Sequence, residues 1–412
     1  MSSHPAAPRE PRRSHRQLAE QLDLLHFPAH SPGMACWHPN GIRLLDALHA
    51  YIRELNERYG YQEVRAPLIC DQQLWAHSGH LDKFADKMFH LDVDGRPASL
   101  KPMNCPGHCD LFAHRPRSYR ELPMRIAEQG HVHRAEQSGA LNGLLRARSF
   151  VIDDGHLFCA PDQVPAELAG CLRMAAEVYR QFELPLSAEL SLRPEQRLGD
   201  DLLWDQAEQA LRDALNDARI SFSEQPGEGA FYGPKVDLHV RDSLGRAWQM
   251  GSVQLDYQLP ERFDLRYVAA DGSDHDGDGR PHRPVIIHRA MLGSFERFVG
   301  ILLEHLDGRF PLWLAPEPVR VLPIGAEQLA YAREVAAALN GAGVRSRLVE
   351  DGPLGGRIRD GQADRIPVLA IVGAKEQASG AVALRSPSGQ EVLGLDAAAG
   401  LLGSRVRDRS AV

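Results

Sequence analysis

Cysteine is scarce in these 412 residues: six copies, Cys36, Cys70, Cys105, Cys109, Cys159 and Cys171, follow no regular spacing. No apolar signal segment follows the start, so a disulfide framework is excluded in favour of reduced thiols, and the sequence reads as cytoplasmic. Long apolar runs are missing too; nothing approaches the ~18 residues that a membrane-spanning helix needs. There is no basic excess. A formal charge of −8 argues against a protein that coats nucleic acid indiscriminately, although HRPRSYRELPMR (114–125) could form a local basic face. Both common phosphate cradles are absent, GxxxxGK[ST] and the glycine triplet after a strand. No repeat period is visible.

What is present is ordinary for a globular protein: 43% hydrophobic and 25% charged residues, in a chain long enough for two or three domains. Residues 1–16, MSSHPAAPREPRRSHR, read as a disordered tail rather than a transit peptide. Helical spacing of apolar residues runs through 41–61 to Gly60, and the strand-like YQEVRAPLI follows. Residues 163–182 and 200–218 are predicted helices. KVDLHV and RAWQMGSVQLDY are predicted strands, and 285–307 begins as the strand VII and becomes a helix. Pro-rich LWLAPEPV (312–319) marks a domain junction, beyond which VRVLPI, a helix ending near Gly341, SRLVED, PVLAIVG and GAVALRS predict a small α/β domain. The divisions are 1–16, 17–315, 316–405 and a tail at 406–412.

Several motifs compete for the chemistry. HSGH (77–80) superficially resembles the HIGH motif of class I synthetases but has no KMSKS partner. DHDGDG (274–279) matches the first half of a calcium loop, yet Val285 stands where a bidentate Glu is required, so a solvated acidic loop is expected. Cys105 in KPMNCPGH, His156 in VIDDGHLF and His288 in VIIHRAMLGS are far apart in the chain, and spacing alone favours a buried cysteine and two core histidines. Two closer pairs stay open as ligands: Cys105 with His108, and His131 with His133 on one strand face. Arg134 and Arg297 each offer a planar fork suited to phosphate oxygens.

Together the motifs resemble those of the class II aminoacyl-tRNA synthetases. GYQEVRAPLICDQQLW resembles motif 1, RIAEQGHVHRAEQSGALNGLLRARSF motif 2 and GSFERF motif 3. KPMNCPGH, DDGHLFC, EGAFYGPK, WQMGSVQLD and IHRAMLGSFERF are similar to the threonyl-tRNA synthetase family, in consistent order from about Arg16 to Arg385. The resemblance implies an α+β fold: a class II antiparallel β-sheet flanked by helices, and a C-terminal α/β anticodon-binding-like domain. It implies threonine activation with ATP and Mg²⁺, transfer to threonine tRNA, and a homodimer built on motif 1 and Pro67. It also implies one zinc held by Cys105, His156 and His288 with an open position, because threonine and valine are nearly isosteric and only the hydroxyl separates them.

By the same resemblance, Asp154 would accept the substrate hydroxyl, and Met103, Tyr232 and Gln254 would line its pocket. Arg134 would hold the α-phosphate and the amino-acid carboxylate, Arg297 the γ-phosphate, and Lys235 would approach the phosphates. Glu136, Arg146, Phe150 and Gln249 would contact the nucleotide, Phe150 by stacking on the base. His80 would act as general base in transfer. Arg385 and Asp351 would meet the anticodon.

Departures are expected to matter. Ile152 stands where the family normally has glutamine, and Asp351 where it commonly has asparagine, a carboxylate facing nucleic acid. The chain begins just before the catalytic domain, so the resemblance is to a form without the N-terminal editing module, implying serine activation and a possible trans-editing protein. Two alternatives accompany this reading: a paralogue that adenylates threonine or a related β-hydroxy amino acid for another acceptor, and a catalytically silent regulatory or binding protein.

Overall fold

The computed structural model describes residues 13–195, 197, 201–230, 233–241 and 245–410. They fall into two compact units, one from the described residues of Met1–Phe27, Ala35–Ala50 and Leu302–Val412, the other from Pro28–Met34 and Tyr51–Ile301.

The second of these carries an eight-stranded sheet in the order Phe222–Gln225, Leu186–Ser191, Lys235–Arg241, Ala247–Asp256, Val285–Ser294, Ser149–Cys159, Met124–His133, Gln62–Glu63. The six central strands pair antiparallel and each edge strand pairs parallel with its neighbour. The strand expected as VII extends over ten residues, Val285–Ser294. Side chains alternate between the faces of a strand. In SFVIDDGHLFC, Ile152, Asp154, His156 and Phe158 therefore share one face, and Asp153, Gly155 and Leu157 the other.

Helix Val164–Gln181 buries Leu168, Leu172, Ala175, Val178 and Tyr179 at helical spacing, as an amphipathic helix on a sheet should. The Tyr179 hydroxyl donates to the Met291 carbonyl at 2.7 Å. On the same sheet face Arg289 is 1% exposed. It donates to Asp153 Oδ1 (2.9 Å) and Asn56 Oδ1 (2.6 Å) and lies over the Tyr61 ring at 4.2 Å. A Cβ on Gly155 would come within 2.5 Å of that guanidinium, so glycine is what lets the buried cation cross the strand. The opposite face is floored by Phe112, Ile126, Phe158 and Ile286, which pack with Cys105 and Cys109.

The expected strand YQEVRAPLI is realised only as Gln62–Glu63 and Ile69–Asp71, because Pro67 interrupts ladder bonding. Ile69–Asp71 joins Arg96–Leu100 and His90–Val93 in a three-stranded sheet. Its hairpin turns at Asp94 and Gly95, both with positive φ, 54° and 78°, the backbone that an Asp-Gly turn accommodates.

The other unit holds a sheet in the order Ser346–Leu348, Val319–Pro323, Val368–Val372, Ala381–Ser386, Gly389–Gly394, the first three parallel and the last two antiparallel. Leu312 packs into its core with Val319, Val335, Val368 and Leu402, which draws residues before the expected 315/316 boundary into this unit. Structure also reaches into both expected tails. Ser14 caps helix His15–Gln21 through a reciprocal bond with Gln17, and helix Leu395–Arg407 continues past 405. Residues 1–12 lie outside the described residues. No described helix is long and apolar enough to cross a membrane.

Candidate active site

Register brings the distant ligand residues together. His156 is paired with His288 across two antiparallel strands, and His288 with Gln254 on the next. Cys105 opens helix Cys105–Ala113, which covers this face. The ligand atoms of Cys105, His156 and His288 all lie within 4.8 Å of one another, and no other such group of three occurs among the described residues. His156 Nε2 and His288 Nδ1 are 2.9 Å apart. One sulfur and two imidazoles form a donor set suited to zinc with a fourth position left over. Burial, and then the charges of Asp154 and Asp256, push the Cys105 thiol well up. A bound divalent cation reverses that preference, and the helix N-terminus also favours the thiolate. The residues present therefore fit the metal.

Each histidine is oriented from behind. His288 Nε2 donates to Asp256 Oδ2 at 2.9 Å. His156 Nδ1 lies 2.7 Å from His108 Nδ1, and His108 Nε2 lies 3.0 Å from Glu128 Oε2. His108 is therefore engaged at both ring nitrogens, behind the cluster. His131 and His133, the other candidate pair, stack at 4.7 Å and both approach the Ser149 hydroxyl, at 2.6 and 3.3 Å; they belong to no group of three ligands.

Asp154 accepts from Asn104 Nδ2 at 2.9 Å and has its Oδ1 4.0 Å from His156 Nδ1. A Cβ on Gly130 would sit 2.4 Å from the Asn104 amide, so glycine there admits the side chain that orients Asp154. His80 reaches the same cluster: its Nε2 is 3.2 Å from Met103 Sδ and 3.9 Å from Cys105 Sγ. The Ser78 hydroxyl donates to the Trp75 carbonyl, so its oxygen accepts from His80 Nδ1 at 2.8 Å and the lone pair falls on Nε2. Burial, together with the His288 charge, lowers the His80 pKa to about 4.

The two motif arginines lack carboxylate partners among the described residues. Arg134 donates to the Pro102 carbonyl (3.3 Å) and lies between the rings of Phe84 and Phe150, at 5.7 and 5.2 Å. Arg297 donates to the carbonyls of Leu145 (3.0 Å) and Gln249 (2.9 Å). Burial lowers both guanidinium pKa values. Two desolvated cations held by neutral carbonyls form a site that favours an anion. Arg134 feels the charges of Glu136, Arg297, Asp154 and Cys105, which ties the ligand cluster and the arginines into one surface.

Other expected residues are engaged with each other. Arg146 pairs with Glu136 at 2.9 Å. Lys235 and the Gln249 amide both bond Asp237. Phe150 lies under Arg134. Tyr232 lies outside the described residues. In the other unit, Arg385 occupies strand Ala381–Ser386 opposite Leu369 and Gln390, while Asp351 is exposed ahead of helix Leu354–Ala363. No described hydrogen bond or ion pair joins the two. Lys101, Asn104, Glu128 and Asp256 were given no role by the sequence reading, although three of them lie inside KPMNCPGH or WQMGSVQLD, and His108 was weighed only as a ligand beside Cys105. Only ring orientation and side-chain reach in the folded chain reveal their part.

Comparison with known proteins agrees with this architecture. Residues 89–306 match the tRNA synthetase class II core domain (G, H, P, S and T), and residues 318–400 match an anticodon binding domain. The threonine–tRNA ligases of Burkholderia mallei and Burkholderia multivorans are 45% identical over 383 residues. The match covers 92% of this chain but 59% of theirs, so the chain spans somewhat over half the length of those relatives. A structure of the RNA binding domain of threonyl-tRNA synthetase from Cryptosporidium parvum superposes with a TM-score of 0.90 at 39% identity, covering 95% of this chain and 98% of that one. A Giardia lamblia prolyl-tRNA synthetase in complex with prolyl-adenylate shares the fold alone, with TM-score 0.74 and 16% identity over 97% and 82% of the two chains. The fold is that of class II synthetases. Within that class, the chain belongs to the threonyl-tRNA synthetase family.

Proposed function

We propose that this chain is a threonine–tRNA ligase, which activates threonine with ATP and passes it to the 3′ end of threonine tRNA. The observation that carries the reading is the cluster of Cys105, His156 and His288 on the same sheet face as Asp154 and Arg134. A zinc held by those three residues would supply a Lewis acid that takes up the amino group and side-chain hydroxyl of the substrate and so makes the hydroxyl obligatory. Asp154, oriented by Asn104, accepts the hydroxyl proton's hydrogen bond, and Met103 and Gln254 bound the pocket. Arg134 and Arg297, whose guanidinium groups bond backbone carbonyls among the described residues, neutralise charge on the phosphoryl oxygens of ATP with its Mg²⁺ during adenylation. Lys235 would exchange Asp237 for phosphate. Glu136, Arg146, Phe150 and Gln249 hold the nucleotide. His80 Nε2, carrying the lone pair, serves as base toward the tRNA ribose hydroxyl.

Arg385 and Asp351 meet the anticodon in this reading. The homodimer is supported by the apolar side chains of Leu68, Ile69 and Val93, 44%, 51% and 42% exposed on and beside the small three-stranded sheet. The site of action is the cytoplasm. Purified protein should show threonine-dependent pyrophosphate exchange and charge threonine tRNA, and it should fail on an anticodon-swapped tRNA. Exchange without charging would redirect the reading to another acceptor, which Ile152 and Asp351 would then explain. Absence of both activities would leave a binding protein.

A further inference from the structure

The two histidines of the cluster are supported unequally. Behind His288 stands a carboxylate, Asp256, in direct contact. Behind His156 stands another imidazole, His108, and the carboxylate comes only after it, at Glu128. Lys101 closes the line, its Nζ 2.8 Å from Glu128 Oε1. All three of these side chains are at most 4% exposed.

The order of hydrogens along this line follows from chemistry. Lys101 has donors only, and the Glu128 carboxylate accepts from it. Glu128 Oε2 accepts in turn from His108 Nε2–H. A neutral His108 then has its lone pair on Nδ1, and at 2.7 Å it can be satisfied only by a hydrogen on His156 Nδ1. The lone pair of His156 is thereby left on Nε2, the nitrogen that faces His288 and the Cys105 cluster. Burial disfavours the charged form of Glu128, but the bonds from His108 and Lys101 outweigh it and hold the carboxyl below its ordinary range.

We infer that His108 is a positioning residue: it relays the Glu128 carboxylate to His156 and so presents Nε2 of His156, bare and correctly aimed, to the metal. This rests on the zinc reading given above. Outer partners of this kind typically account for about 10- to 100-fold in metal affinity. The device also explains why a histidine three residues after Cys105, on the same face of its helix, is not itself a ligand.

Zinc affinity, measured by competition with a chromophoric chelator, tests the inference without recourse to activity. The wild-type chain should bind one zinc, and Cys105→Ser should lose it. His108→Leu removes the acceptor and should weaken zinc about 10- to 100-fold. His108→Asn keeps an amide oxygen near the position of Nδ1 and should stay within about 3-fold of wild type. Glu128→Gln, which removes the charge at the start of the line, should fall between them and stands in if His108→Leu does not fold. The visible spectrum of the cobalt-substituted protein should change in His108→Leu and be retained in His108→Asn. A purely space-filling role would instead lower the melting temperature of both metal-free variants and leave zinc affinity unmoved. Wild-type affinity in His108→Leu, or in Glu128→Gln where the former is unfolded, overturns the relay while leaving the zinc reading intact. Failure of the wild-type chain to bind zinc overturns both.

Discussion

His156 and His288 face each other across two antiparallel strands, Nε2 of the first 2.9 Å from Nδ1 of the second. Two imidazole lone pairs at that separation repel unless a cation or a proton lies between them. Zinc should therefore stabilise the fold: at a free concentration 100 to 1,000 times the dissociation constant, mass action adds about 2.7 to 4.1 kcal/mol. Chelator should lower the unfolding midpoint of the wild type, and zinc should restore it. In His288→Ala the midpoint should be insensitive to both.

The guanidinium groups of Arg134 and Arg297 hydrogen-bond only carbonyl oxygens among the described residues. Replacing either with lysine removes the fork but not the charge, so the folded state loses little and a bound polyphosphate loses bidentate contact. Pyrophosphate exchange should fall about 10²- to 10³-fold in kcat/KM, with an unfolding midpoint close to wild type. A variant that lost stability in proportion to activity would assign these arginines to the fold instead.

Much of this site was readable in words such as KPMNCPGH and GSFERF, but through resemblance rather than spacing. Cys105 and His156 lie on a helix and a strand with strand Met124–His133 between them, four further strands and three α-helices separate His156 from His288, and only strand register sets two of them opposite each other. The His108 relay depends on which way two rings point, which no residue pattern encodes. The three-stranded sheet went unread for a different reason. Its strands are short and half-polar, although Asp94-Gly95 carried a hairpin signal in plain view. The split of YQEVRAPLI follows from Pro67, which lacks the N–H that a continuous strand would use.

Serine carries the hydroxyl that Asp154 and the metal site would recognise, and lacks only a methyl group. Burial of one methyl separates substrates by about 10- to 200-fold. Threonine-dependent and serine-dependent pyrophosphate exchange should therefore differ in kcat/KM by an amount in that range. Discrimination of many thousandfold would require a specificity element beyond this pocket.

Asp153 and Arg289 form a buried pair, both about 1% exposed, and Asp153 also accepts from the backbone N–H groups of Met291 and Leu292. Asp153→Ala leaves a guanidinium in the interior with only Asn56 and the Tyr61 face, and should cost about 3 to 5 kcal/mol. Adding Arg289→Met should recover part of that loss. Urea unfolding of the two single variants and the double variant measures the coupling, and strict additivity would mean that the pair is not energetically linked.

Glu296, one residue before the motif arginine, is 5% exposed and accepts the Val151 N–H at 3.0 Å. Burial raises its carboxyl from 4.5 to about 7, and the backbone hydrogen bonds only partly oppose the rise. The folded chain therefore holds a proton that the unfolded chain has already released. That contribution is complete below about pH 4.5 and is lost as pH climbs through 7, a change of about 3 kcal/mol at 1.36 kcal/mol per unit. Glu296→Gln preserves the shape and cannot titrate. The difference in unfolding free energy, wild type minus variant, should thus decline between pH 4.5 and 7.5, while titration of all other groups cancels in the subtraction. Parallel stability curves across that window would show that Glu296 titrates alike in both states.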